Sequence, residues 1–293
     1  MKHSLIIFIF VLLMTSVSAQ DRFLGISGGG ALYTGDIDPI SRLDYVKNVD
    51  FAFGMFYRQE LSDRLSFRMN LTRLNIKAAD DANFDLVASS SSSPALVGLA
   101  ISRLERNFNF KNKLTEFSLL VEYKVFSLFG IDFHATAGPG IYRHNPEGFD
   151  NETLIYRPLQ PLATEGQSFN DRYSLFQFSI PFGGYLTFDV NDKISIQVDL
   201  IGRYTFTDYL DDIRLATYVP AIQITDPIRR RLADPFESLG GLSREEAAPS
   251  FVSDSGIIRG NPESKDYFGS SSISILFRMP NLKKQELGCP LPF

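Results

Sequence analysis

The residues of this chain that could do chemistry are few, and most of them fall at the ends of alternating segments. His144 beside a loop serine has the residue types of a nucleophile and its base, but one histidine at a segment end is more often a surface residue, so no catalytic role is assigned. Asp36 with Asp38, and the trio Asp208, Asp211 and Asp212, offer oxygen ligands for a divalent cation. Their spacing fits no EF-hand loop, and solvated carboxylates are the plainer reading. The run "GISGGGALYTG" from Gly25 to Gly35 lacks the G-x-G-x-x-G spacing and is followed by no helical pattern, which excludes a dinucleotide loop. Arg229 to Arg231 would suit lipopolysaccharide phosphates or form a solvated stretch of loop. Cys289 stands alone, so no internal disulfide is possible. The expectation is a protein that is not an enzyme, with no cofactor and no metal.

The first 19 residues, with Lys2, an apolar run from Leu5 to Met14 and the small residues Val17, Ser18 and Ala19, read as a secretory signal peptide. That apolar run is shorter than the roughly 20 residues a spanning helix needs. A formal net charge of −5, with both signs scattered, argues against a nucleic-acid partner.

After the signal, apolar and polar residues alternate with period two, as in "KISIQVDLIGRYTFTDYLDD" from Lys193. Eight such segments are expected, at about 22–34, 49–61, 64–78, 107–126, 131–144, 174–189, 193–209 and 266–278. Short connections ("SDR", "SLFG", "VNDK") alternate strictly with long ones. This is the pattern of an all-β, eight-stranded antiparallel transmembrane outer-membrane β-barrel with short periplasmic turns and long extracellular loops. It would span residues 20–280, with residues 281–293 as a periplasmic C-terminal tail. In so narrow a barrel, the inward charges Arg58, Glu60, Arg68, Glu116, Glu122, Lys124, Asp199 and Arg203 are expected to neutralise one another as a polar plug. Tyr209 is expected at the lipid interface.

Three stretches, "LYTGDID" (Leu32 to Asp38), "FTDYLDD" (Phe206 to Asp212) and "RGNPESKDYFGSSSISI" (Arg259 to Ile275), together resemble the PorG family, the outer-membrane barrel of the Bacteroidota type IX secretion system. The resemblance rests on Tyr33, Gly35, Asp36, Asp208, Tyr209, Asp211 and Asp212 and covers essentially the whole mature chain. It implies a non-enzymatic component that ties a periplasmic ring of PorK-like lipoprotein and PorN-like protein to the outer membrane and supports protein export and, where present, gliding motility. The stretch after Asp212 departs from the family pattern, which leaves room for a paralogue with another partner. With short periplasmic turns, the tail with Lys283, Lys284, Glu286 and Cys289 is the expected hold for the ring. Cys289 is expected to pair with the ring lipoprotein or to remain free. The competing function is a structural or adhesive barrel working through its long outer loops.

Overall fold

The computed structural model describes residues 21–37, 46–80, 106–220, 223–236 and 259–280. The signal peptide, Asp38 and the tail with Lys283, Lys284, Glu286 and Cys289 lie outside the described residues. The strands are β1 (Arg22–Thr34), β2 (Asp50–Glu60), β3 (Leu65–Ala79), β4 (Asn109–Leu128), β5 (Ile131–Ala137), β6 (Gly140–Arg143), β7 (Pro146–Asp150), β8 (Ile155–Pro158), β9 (Phe176–Asn191), β10 (Ile194–Thr205) and β11 (Tyr267–Arg278). A short helix, α1 (Pro227–Ala233), lies in the last long connection.

All eleven strands belong to one antiparallel sheet. β1 pairs with β2 on one side and β11 on the other. β2 continues to β3 and β3 to β4, from Leu65 opposite Tyr123 to Ala79 opposite Asn109. β4 pairs with β5 and β6, both of these with β9, and β9 with β10, which meets β11.

Among the described residues eleven strands stand where eight segments are expected, for two physical reasons. The segment 131–144 is interrupted at Gly138 and Pro139, because proline donates no N–H to a ladder and a Cβ at Gly138 would sit 1.9 Å from the Leu119 carbonyl oxygen. The hairpin β7–β8 rises from the long gap after His144, a region expected to be loop. The short connections β2–β3, β4–β5 and β9–β10 share one rim, which the sequence patterning anticipates.

The burial pattern inverts that of a soluble sheet. Phe53, Met55, Leu71, Phe117, Leu200 and Ile273 all project from one face and are exposed, Leu200 by 69%. The alternate residues on the same strands, among them Arg58, Arg68, Glu116, Glu122, Asp199 and Arg203, are buried on the opposite face. Burying so many charges requires partners, and each has one. Glu122 receives Arg58 at 2.7 Å and Arg68 at 3.4 Å, and Arg68 reaches Asp199 at 3.0 Å. One layer further toward the long-loop rim, Arg203 meets Glu116 at 3.1 Å, while Ser179 donates to the same carboxylate at 2.7 Å. The Arg68 guanidinium stacks 3.7 Å from the Phe56 ring, and Arg58 4.7 Å from that of Tyr185. The expected polar plug is thus present as layered ion pairs. On its short-turn side, a polar vestibule of about 70 Å³ is lined by Glu60, Lys124, Asp132, His134, Asp189 and Arg278 among others.

Candidate functional site

Above the charged layers, at the long-loop rim, the chain folds back over the sheet. β3 and β4 run on past the other strands, and their extensions carry Leu74, Ile76, Phe110 and Leu114 into one apolar cluster with Leu159 from the third long connection, Leu232 from α1, and Leu210 and Ile213 from the segment after β10. This cluster is the core of a cap. Helix α1 is fixed in it by an N-cap at Asp226, whose side chain accepts from the Ile228 and Arg229 amides. Arg231 reaches Asp150 of β7 at 3.0 Å, and Arg229 donates to the Ala163 carbonyl at 3.1 Å. The triple arginine therefore holds the cap to itself rather than forming a solvated loop.

The three sequence stretches that carry the resemblance meet in this cap. Tyr33 closes β1, Asp211 follows β10 and Asp266 precedes β11; the Tyr33 hydroxyl lies 2.7 Å from a carboxyl oxygen of each aspartate. The remaining oxygens of the two aspartates accept backbone amides, Ile213 N at 2.9 Å for Asp211 and Leu210 N at 2.8 Å for Asp266. Gly35 is required beside them, since a Cβ there would fall 2.1 Å from both Tyr33 Oη and Asp266 Oδ1. Asp212, at φ 72°, adopts the left-handed region that Asp tolerates better than most residues. Its carboxylate accepts from Thr164 and, at 2.5 Å, from the Tyr173 hydroxyl.

A second layer ties the same segments together. Arg106 grips Asp80 with Nε at 2.8 Å and Nη2 at 2.7 Å, and reaches the carbonyls of Arg259 at 2.9 Å and Asp36 at 3.0 Å. Arg259 is fully enclosed and paired with Glu165, whose Oε1 also accepts the Arg214 and Leu215 amides at 2.7 and 2.8 Å. Asp36 accepts the Asn261 amide at 2.9 Å.

The carboxylates expected to be solvated are instead buried: Asp208, Asp211 and Asp212 are 3%, 0% and 0% exposed. The reason is the apolar residues between and after them, Leu210 and Ile213, which pull the segment inward. Burial pushes Asp36 and Asp208 up to about 6 and Asp212 up to about 7, in the last case against the lowering influence of Arg259. Among the described residues no group of three or more His, Cys, Asp or Glu side chains is arranged to hold a metal, so the cation reading of the aspartates finds no support there.

Two further expectations are corrected. His144 is not on the surface but fully buried. Its Nε2 donates to the Ser174 carbonyl at 3.2 Å, and its Nδ1 stands 3.4 Å from Asn112 Nδ2. Burial pushes its pKa down to about 4, and both ring nitrogens are occupied structurally. Tyr209 does not face lipid; it stacks on Tyr173 with centroids 4.4 Å apart. Of the residues that tie the cap together, sequence reasoning did not single out Asp266, Arg259, Glu165, Arg106 or Tyr173. Asp266 and Arg259 lie within a quoted stretch, whereas the other three sit in or beside long connections with no local signal.

A family model described as domain of unknown function DUF6089 matches residues 2–216. No curated protein matches the chain. Among solved structures, the fold is similar to Ail, the attachment invasion locus protein of Yersinia pestis, at 8% identity and a TM-score of 0.38, covering 89% of this chain and 100% of that one. It is similar also to a major outer membrane protein from Thermus thermophilus at 12% identity and a TM-score of 0.41, covering 89% and 100%. Neisserial surface protein A follows at 8% identity and a TM-score of 0.39, covering 88% and 97%.

Proposed function

The chain belongs to the DUF6089 family, and from that premise we propose that it is a closed outer-membrane β-barrel acting as a non-enzymatic scaffold of the type IX protein secretion machinery. β1, β2, β3, β4, the broken strand β5 and β6, β9, β10 and β11 make an eight-membered ring of pairings, which we read as the barrel wall. The observation that carries the membrane reading is the inverted burial pattern, apolar outside and ion-paired inside, since an exposed apolar surface of this extent calls for an apolar environment and lipid supplies one around the whole girth of a barrel. Strands of 11 to 13 residues in β1, β2, β10 and β11 suit a tilted crossing of the hydrocarbon layer.

The scaffold reading is supported by what fills the lumen. Layered ion pairs and a cap with its own core occupy it, and the buried cap gathers the very stretches that resemble the PorG family. In this account the barrel anchors a PorK-like and PorN-like periplasmic ring to the outer membrane and thereby supports export and, where present, gliding motility. The tail, with Lys283, Lys284, Glu286 and Cys289, is the proposed hold. The other reading, an adhesive or structural barrel, is favoured by the size of the cap, which presents an ordered surface at the long-loop rim.

Affinity purification of a tagged copy from mildly solubilised outer membranes, with and without reductant, tests the choice. Copurification of periplasmic ring proteins is the expected result. A barrel without companions, in a strain whose secretion is intact on deletion, would leave the adhesive reading.

A further inference from the structure

A phenol hydroxyl carries one hydrogen, yet at the node the Tyr33 oxygen faces two carboxyl groups at 2.7 Å each. Tyr33 can donate to only one of them. The other contact is a hydrogen bond only if that carboxyl is itself protonated and donates to the phenol oxygen. The remaining oxygen of each aspartate is already used by a backbone amide, and both residues are fully enclosed. Two ionised carboxylates would face each other there without water.

We propose that Tyr33, Asp211 and Asp266 form a proton-operated lock, in which one proton held by the carboxyl pair keeps three chain segments closed over the mouth of the lumen and its loss to solvent parts them. The lock belongs to the cap alone and needs no partner.

The neighbouring charges do not replace that proton. From the β1 side comes Asp36, from the segment after β10 Asp208, and from β6 the Tyr142 hydroxyl. Arg106, entering from the approach to β4, acts on Asp211 through its charge, but its hydrogen bonds go to Asp80 and to the Arg259 and Asp36 carbonyls, and Arg259 is paired with Glu165. Lys265 reaches Asp208 only at 3.9 Å.

Some buried acceptors of the cap have no hydrogen-bond donor. Asp208 Oδ2 and Glu165 Oε2 belong to side chains more than nine-tenths buried, and neither accepts a hydrogen bond. Buried donors without an acceptor stand there as well, Arg172 Nε among them, so the proton on the carboxyl pair is inferred from the geometry at Tyr33. Consistent with this, burial and then the Asp266 charge hold Asp211 well above the usual carboxylate range, and burial does the same to Asp266. Gly35 seats tightly against both Tyr33 and Asp266, where a Cβ would fall 2.1 Å from each oxygen.

The test compares the full-length protein in phospholipid vesicles with Asp266→Asn, which removes the ionisable group and keeps the shape. At about pH 8, where Asp36, Asp208 and Asp212 are largely ionised, the infrared spectrum of the wild type is expected to show a protonated-carboxyl carbonyl band that is reduced in the variant. Hydrogen exchange at the Leu210 and Ile213 amides, corrected for intrinsic rate, is expected to report an opening constant that rises about tenfold per pH unit above about pH 8, the slope of one released proton. In that range Asp36, Asp208 and Asp212 are already ionised in the closed cap, so the slope isolates the node. In Asp266→Asn the slope is expected to vanish. Asp211→Asn carries the same expectation and substitutes if the first variant fails to assemble. No band difference, or a slope that survives the substitution, overturns the lock.

Discussion

Replacing Glu122 with methionine should be among the most damaging single changes in the barrel wall. Glu122 is fully buried and receives both Arg58, at 2.7 Å, and Arg68, at 3.4 Å. Arg68 keeps Asp199 at 3.0 Å when Glu122 is lost, so the damage concentrates on Arg58, which retains the neutral Gln197 side chain and the Tyr185 ring. Leaving one buried charge without its partner costs about 3–5 kcal/mol, and with Arg68 still paired the lower end applies. That is roughly a 150-fold shift in the folding equilibrium, at about 1.4 kcal/mol per decade. Because the chain contains no tryptophan, folding in vesicles is best followed by the difference in gel mobility between folded and heat-denatured barrel across a urea series. The double variant Arg58→Met with Glu122→Met, which removes both charges, should recover most of the loss. The reasoning is refuted if Glu122→Met unfolds within about 1 kcal/mol of the wild type, or if the double variant costs the sum of the two single ones.

Other outcomes follow from the cap. Gly35→Ala places a Cβ 2.1 Å from Tyr33 Oη and Asp266 Oδ1, so limited proteolysis should cut the long connections of the variant while the barrel keeps its folded mobility. Asp36, Asp208 and Asp212 have folded pKa values raised to about 6, 6 and 7; their contribution to cap stability is complete below the unfolded value near 4 and is lost as pH rises through 6 to 7. Protease resistance of the cap should therefore be greater at pH 5 than at pH 8, and Asp212→Asn should reduce that difference without abolishing it, since Asp36, Asp208 and the carboxyl pair still titrate. In a planar bilayer the protein should show no steady channel of porin size, since ion pairs and cap both obstruct the lumen; sustained conductance at neutral pH would contradict the plug.

The strands of this protein are legible in its sequence because apolar and polar residues alternate along most of their length, as Val198, Asp199 and Leu200 do, although Leu120 and Ile201 are apolar residues on the buried face. Loop lengths then sort the rims. The cap is not legible in the same way. Tyr33, Asp211 and Asp266 are separated by up to 233 residues, and no periodicity links them; only the apolar Leu210 and Ile213 set among aspartates hint that the segment turns inward. The pairing of Glu165 with Arg259 leaves no local trace, as neither lies in a regular element. The break at Pro139 was visible as a residue but not as a consequence, because what forbids continuity is the close approach of Gly138 to the Leu119 carbonyl on the neighbouring strand.

The most direct test of the scaffold account is the culture supernatant of a deletion strain, quantified by mass spectrometry against the same strain complemented with the intact chain. The account predicts that exported proteins disappear from the supernatant, accumulate in the periplasm, and return on complementation. A supernatant unchanged by the deletion would contradict it.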